Sequence, residues 1–194
     1  MIFFLRLILS LYILKVAESG FCKKSGYGTF IWANHNNVDG YWKHFDWDVI
    51  TTIGFFGSLD EGQLIGMRDY AHERGVKLVK GVGMEDDQVV NATYRSQWID
   101  QQIKDAISEG YDGVNIDHEG QDPRTYEGWT ALMVDTANAF HEKLPGSEVS
   151  ADVGIYPEYE FRNMTMNYTA MGEAMDYLFI MGNLPCYYIK SYLY

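Results

Sequence analysis

The sequence predicts an α/β fold in which strands alternate with helices. Two observations carry this: short apolar runs switch repeatedly to stretches of helical period, and those stretches end at glycine. Such alternation implies parallel strands joined by right-handed crossovers. Thr29 to Ala33 is a first strand and Val49 to Phe56 a second, bounded by Gly57. Glu61 to Arg74 reads as a helix with Leu64, Met67 and Ala71 on one face and Gly75 as its stop, and Val76 to Val82 follows as a strand. Thr93 to Glu109 carries Trp98, Ile99, Ile103, Ala106 and Ile107 at helical spacing, with Gly110 ending it. Gly113 to Glu119 is the fourth strand. Asp122-Pro123 opens a helix bearing Trp129, Leu132, Met133, Ala137 and Phe140 before Pro145-Gly146. Val149 to Ile155 and Tyr177 to Met181 complete six strands, with a short helix, Tyr168 to Met175, between them. Periodicity leaves an open sheet and a barrel as alternatives. A closed barrel of eight units takes about 250 residues, so a chain of 194 with six units is short for one.

With 47% hydrophobic and 15% aromatic residues the chain has ample apolar material for a packed domain, which excludes disorder as its main state. A formal charge of -12 repels a phosphate backbone and excludes nucleic acid as a partner. Cys22 and Cys186 permit at most one bridge and lack zinc-site spacing. Gly81-Val82-Gly83 is a strand-end turn, too short for a phosphate loop.

Residues 1–16 are almost wholly apolar, interrupted by Arg6 and Lys15, and lead into Ala17-Glu18-Ser19-Gly20. A basic start, an apolar core and small residues before the break describe a secretory signal, residues 1–19, cleaved after Ser19. An uncleaved anchor is the alternative, but the apolar run is shorter than the ~20 residues a membrane span needs. The expected compartment is therefore the secretory pathway, lysosomal or extracellular, with no membrane attachment after cleavage. Three sequons, at Asn91, Asn163 and Asn167, agree as glycosylation sites.

The fourth strand carries the chemistry. Its residues alternate across the sheet, so Asn115, Asp117 and Glu119 share one face, and Val114 and Ile116 the other. A doubly covered parallel strand is normally apolar throughout, so a row of acid and amide groups at its carboxyl end requires a reason. Asp117 and Glu119 have Cα atoms about 6–7 Å apart. Repulsion and partial burial are expected to keep one protonated as a donor while the other stays ionised. Glu119, longer and outermost, is the better acid; Asp117, one layer deeper beside Asn115, is the better orienting group. A solvated edge and a site for Mg²⁺ or Ca²⁺ are alternatives, and spacing alone leaves the cation open. His118 falls on the opposite face as a packing residue.

The segment Asp112-Gly113-Val114-Asn115-Ile116-Asp117-His118-Glu119 resembles the DxxDxDxE signature of glycoside hydrolase family 18, the chitinase family, with Asn115 in place of the second Asp. The pattern is similar to the di-N-acetylchitobiase branch. Phe45-Asp46-Trp47-Asp48, Arg95-Ser96-Gln97-Trp98-Ile99, Asn167-Tyr168-Thr169 and Asp176-Tyr177-Leu178-Phe179-Ile180-Met181 agree with it. The resemblance implies a TIM (β/α) barrel, here incomplete with about six of eight strand-helix units, spanning residues 20–182. It implies substrate-assisted retaining hydrolysis, in which the sugar's acetamido group attacks the anomeric carbon and no protein nucleophile, metal or cofactor is used. Glu119 would protonate the glycosidic oxygen. Asp117 would hold the acetamido N–H, with Asp112 and Asn115 supporting its orientation and charge. The implied ligand is an oligosaccharide containing N-acetylglucosamine, with Trp32 and Phe56 as stacking platforms and Met181 lining the cleft. A catalytically silent carbohydrate-binding relative is the alternative.

One departure is plain. Met181-Gly182 is followed by Asn183-Leu184-Pro185 where the family places Met-x-Tyr-Asp, so residues 183–194 read as an atypical tail. The expectation is a truncated chain that is weakly active or inactive.

Overall fold

The computed structural model describes residues 28–33, 40–118, 122–154 and 166–181. Residues 1–19, Cys22, Glu119, Asn163 and the 183–194 tail, all singled out above, lie outside the described residues. The chain divides into two compact units, residues 1–78 and 79–194.

In the first unit β1 (Phe30–Ala33) and β2 (Thr52–Phe55) pair in parallel, Phe30 opposite Thr52 and Trp32 opposite Gly54. β2 begins later than its apolar run suggests, because residues 47–49 form a turn before it. Ile53 and Phe55 are fully buried on one face. A 3₁₀ turn, Tyr41–His44, sets Trp42 into an aromatic cluster with Trp47 and Tyr70, centroids 5.0–6.2 Å apart, and the Trp47 indole donates to the Trp42 carbonyl at 3.0 Å. The helix expected over 61–74 is split. Gly66 takes φ 78, which only glycine adopts without strain, so a 3₁₀ turn (Gly62–Leu64) precedes a shorter α1, Met67–His72. Met67 and Ala71 form its buried face, and Gly75 ends it as expected, the Val76 amide reaching back to the Ala71 carbonyl at 3.0 Å.

β3 (Lys77–Val82) leads into the second unit. There follow α2 (Asp86–Val89), α3 (Ala92–Glu109), β4 (Gly113–Asp117), a 3₁₀ turn (Pro123–Thr125), α4 (Tyr126–Lys143), β5 (Glu148–Gly154), α5 (Tyr168–Ala174) and β6 (Tyr177–Met181). β4 pairs in parallel with β3 on one side and β5 on the other, and β5 with β6. The α/β class with parallel strands is therefore as expected.

Asn91 caps α3, its Oδ1 accepting from the Thr93 and Tyr94 amides at 2.9 and 3.4 Å, and Asn167 caps α5 by accepting from Ala170 at 3.0 Å. The core of this unit is the buried face of α4, with Trp129, Leu132, Met133, Ala137 and Phe140, against Val114, Ile116, Val149 and Ala151 of β4 and β5. Gly113 is required by close approach. A Cβ there would lie 2.7 Å from the Glu148 carbonyl carbon and 2.8 Å from its nitrogen. Asp176 ties three elements together: its Oδ2 accepts from the Val149 amide at 2.8 Å and meets His141 Nε2 of α4 at 2.9 Å. Among the described residues no helix is long and apolar enough to cross a membrane.

Candidate active site

The strand register arranges the site in layers. Paired residues of adjacent strands point to the same face, so Asn115 of β4 shares its face with Gly81 of β3, Ser150 of β5 and Tyr177 of β6. The next layer toward the carboxyl end holds Asp117, Asp152 and Phe179, and the one beyond holds Gly154 and Met181. One bond fixes this orientation: Asn115 Nδ2 donates to Ser150 Oγ at 3.0 Å. Asn115 and Ser150 are fully buried, whereas Asp117 and Asp152 are half-buried. The Asn115 Oδ1 is also buried and has no hydrogen-bond partner among the described residues. β3 contributes no side chain beside them, because its residues there are Gly81 and then Gly83, where a Cβ would lie 3.5 Å from the Asp117 carbonyl oxygen. The result is a row of polar groups with space on one side.

The structure thus brings Asn115 and Asp117 onto one face, as alternation requires. Asp112 is not beside them: it precedes the strand, about 17 Å of extended chain from Asp117, and its carbonyl accepts from the Glu148 amide at 2.9 Å. Met181 closes β6 opposite Gly154. Trp32 and Phe56 belong to the first unit, where they stack on each other at 4.6 Å with planes 11° apart, and Phe56 is 42% exposed. Gly54 makes that possible, since a Cβ there would lie 2.6 Å from the Trp32 ring.

His118 turns to the opposite face, buried, and stacks on Trp129 of α4 at 3.9 Å. Burial holds its imidazole below the ordinary range, and the nearby Asp86 charge only partly offsets this. Asp86 in turn accepts from the Trp129 indole at 2.8 Å. Burial raises the Tyr177 phenol, reinforced by the Glu148 and Asp176 charges.

Sequence reasoning missed Ser150 and Asp152. The signal was present in the polar parity of Glu148, Ser150, Asp152 along β5, but only register identifies which residue faces which.

Comparison with known proteins adds independent information. No family model matches the chain. Di-N-acetylchitobiase of Rattus norvegicus is 37% identical over 146 residues, covering 73% of this chain and 38% of the relative, and that of Homo sapiens is 34% identical over 145 residues, covering 73% and 36%. The chain therefore spans less than two-fifths of the length of these relatives. Among solved structures, a class V chitinase from Pseudomonas fluorescens superposes with a TM-score of 0.66 at 15% identity, covering 80% of this chain and 54% of that one. A Group IV chitinase from Ostrinia furnacalis gives 0.62 at 13% identity, covering 80% and 50%. Similarity of sequence to the one group and of fold to the other makes this chain a relative of the di-N-acetylchitobiases, built on the fold of the chitinase-type glycoside hydrolases.

Proposed function

We propose that the chain acts as a chitobiase-type glycosidase on β-1,4-linked N-acetylglucosamine at chitobiose-like glycan ends, with retention and with assistance from the substrate's own acetamido group. The observation that carries the reading is the polar row: Asn115 and Asp117 lie on one face, anchored through Ser150 and flanked on the β3 side by glycine. Glu119 continues the same alternation by two residues and is the proton donor. Asp117 holds the acetamido N–H and balances the positive charge that develops on the oxazolinium-like intermediate. Asn115 supports it from the layer below, and Asp112 supports the strand from its amino end. The substrate's acetamido oxygen is the nucleophile, so the chemistry asks of the chain one acid and one well-placed carboxylate.

Trp32, Phe56 and Met181 are proposed sugar contacts, Phe56 presenting an exposed ring face. Asn183, standing where the family places a tyrosine, supports the further reading that turnover is weak. The test is hydrolysis of di-N-acetylchitobiose at mildly acidic pH by the 194-residue chain and its Glu119→Gln variant. Release of N-acetylglucosamine that falls by about two to four orders of magnitude in the variant, with binding kept, supports the reading. Equal turnover in both refutes Glu119 as the acid. Sugar binding without turnover in either points to a carbohydrate-binding protein.

A further inference from the structure

We propose that Asp152 is a positioning residue for Asp117: the two carboxyl groups form a pair that holds one proton between them, with Asp152 the protonated partner and Asp117 the ionised one. The pair itself rests on strand register; its consequence for turnover rests on the glycosidase reading. Asp117 and Asp152 are Cα partners across β4 and β5, and paired residues on strands about 4.8 Å apart point to the same face. That both point toward the polar row follows from the layer below, where Asn115 bonds directly to Ser150 at the same register step. Both aspartates are half-buried, so water screens them only in part.

Two ionised carboxylates placed this way repel, and retaining one proton turns the repulsion into an O–H···O⁻ hydrogen bond. The neighbours favour this arrangement. From β3 the described residues facing the pair are Gly81 and Gly83, which bring no charge. From β6 Phe179 flanks Asp152, and Tyr177, one layer down, has its phenol held neutral by burial and by the Glu148 and Asp176 charges. From β4 itself Asn115 is neutral, and from β5 Glu148 lies two layers below. No described cation faces the pair to relieve the repulsion. A protonated Asp152 fixes the Asp117 carboxylate in one rotamer, leaving its other oxygen for the acetamido N–H, which is the geometry the mechanism requires.

The experiment is carboxyl-carbon NMR titration of the full chain labelled at aspartate, with Asp152→Asn and, reciprocally, Asp117→Asn. The pair titrates in two coupled steps. In the native chain one step lies at least one pH unit above the ordinary aspartate value of about 3.9. Either substitution removes that upper step and leaves the remaining aspartate titrating once, at lower pH. An upper step that survives in Asp152→Asn, or is missing from the native chain, overturns the proposal. The reciprocal variant keeps the test decisive if one of the two fails to fold. Chitobiose turnover in the same samples tests the glycosidase reading separately, and its absence leaves the titration result standing.

Discussion

His118 and Asp117 are consecutive residues with opposite fates. The alternation of an extended chain sends one carboxylate toward the polar row and the next imidazole into the helix layer, where it stacks on Trp129. Burial there disfavours the imidazolium, so the folded pKa lies below the unfolded value of about 6.5. The unfolded chain consequently binds the proton first. Stability is full above that pH and declines as pH falls from about 6.5 toward the folded pKa. A His118→Phe variant keeps a ring against Trp129 and has nothing to titrate. Urea midpoints measured from pH 7.5 to 5 should therefore slope less in the variant, and an unchanged slope would show that other groups set it.

At the level of elements, what was legible in the sequence depended on how local the cause was. β6 falls on Tyr177–Met181 as read, because its apolar run is bounded on one side by a helix end and on the other by Gly182. α3 starts one residue before the expected Thr93, since Asn91 supplies the cap. The Glu61–Arg74 helix failed because a favourable apolar period concealed two glycines, Gly62 and Gly66, both at positive φ. The pairing of Asp117 with Asp152 was illegible for a different reason: it is set by register between strands separated by a whole helix. Two glycine substitutions test the packing. Gly113→Ala drives a Cβ into the Glu148 backbone, which cannot yield without breaking the β4–β5 ladder, so a loss of more than about 2 kcal/mol is expected. Gly172→Ala in α5 meets nothing nearer than Leu178 Cδ1 at 3.9 Å and should gain about 0.5–1 kcal/mol. Thermal unfolding of both variants reads the contrast, and similar effects from the two would contradict the close approach at Gly113.

For the molecule as a whole, the apolar start and the sequons predict export. Expressed in a secreting eukaryotic cell, the product should begin at Gly20 and lose mass on treatment with an N-glycan-cleaving amidase. A product beginning at Met1 with no glycan-dependent mass would contradict this. The two described sequons carry a further consequence. Asn91 and Asn167 are the residues that close the amino ends of α3 and α5, and in each the side-chain oxygen does the closing. Oligosaccharide is attached through the other atom, the amide nitrogen. A sugar tree at either position therefore leaves the helix end as firmly sealed as before, and the sealed end in turn holds the root of the tree at a fixed angle. Decoration and fold use opposite halves of one small group, so the chain can carry its sugars without loosening the helices that bear them.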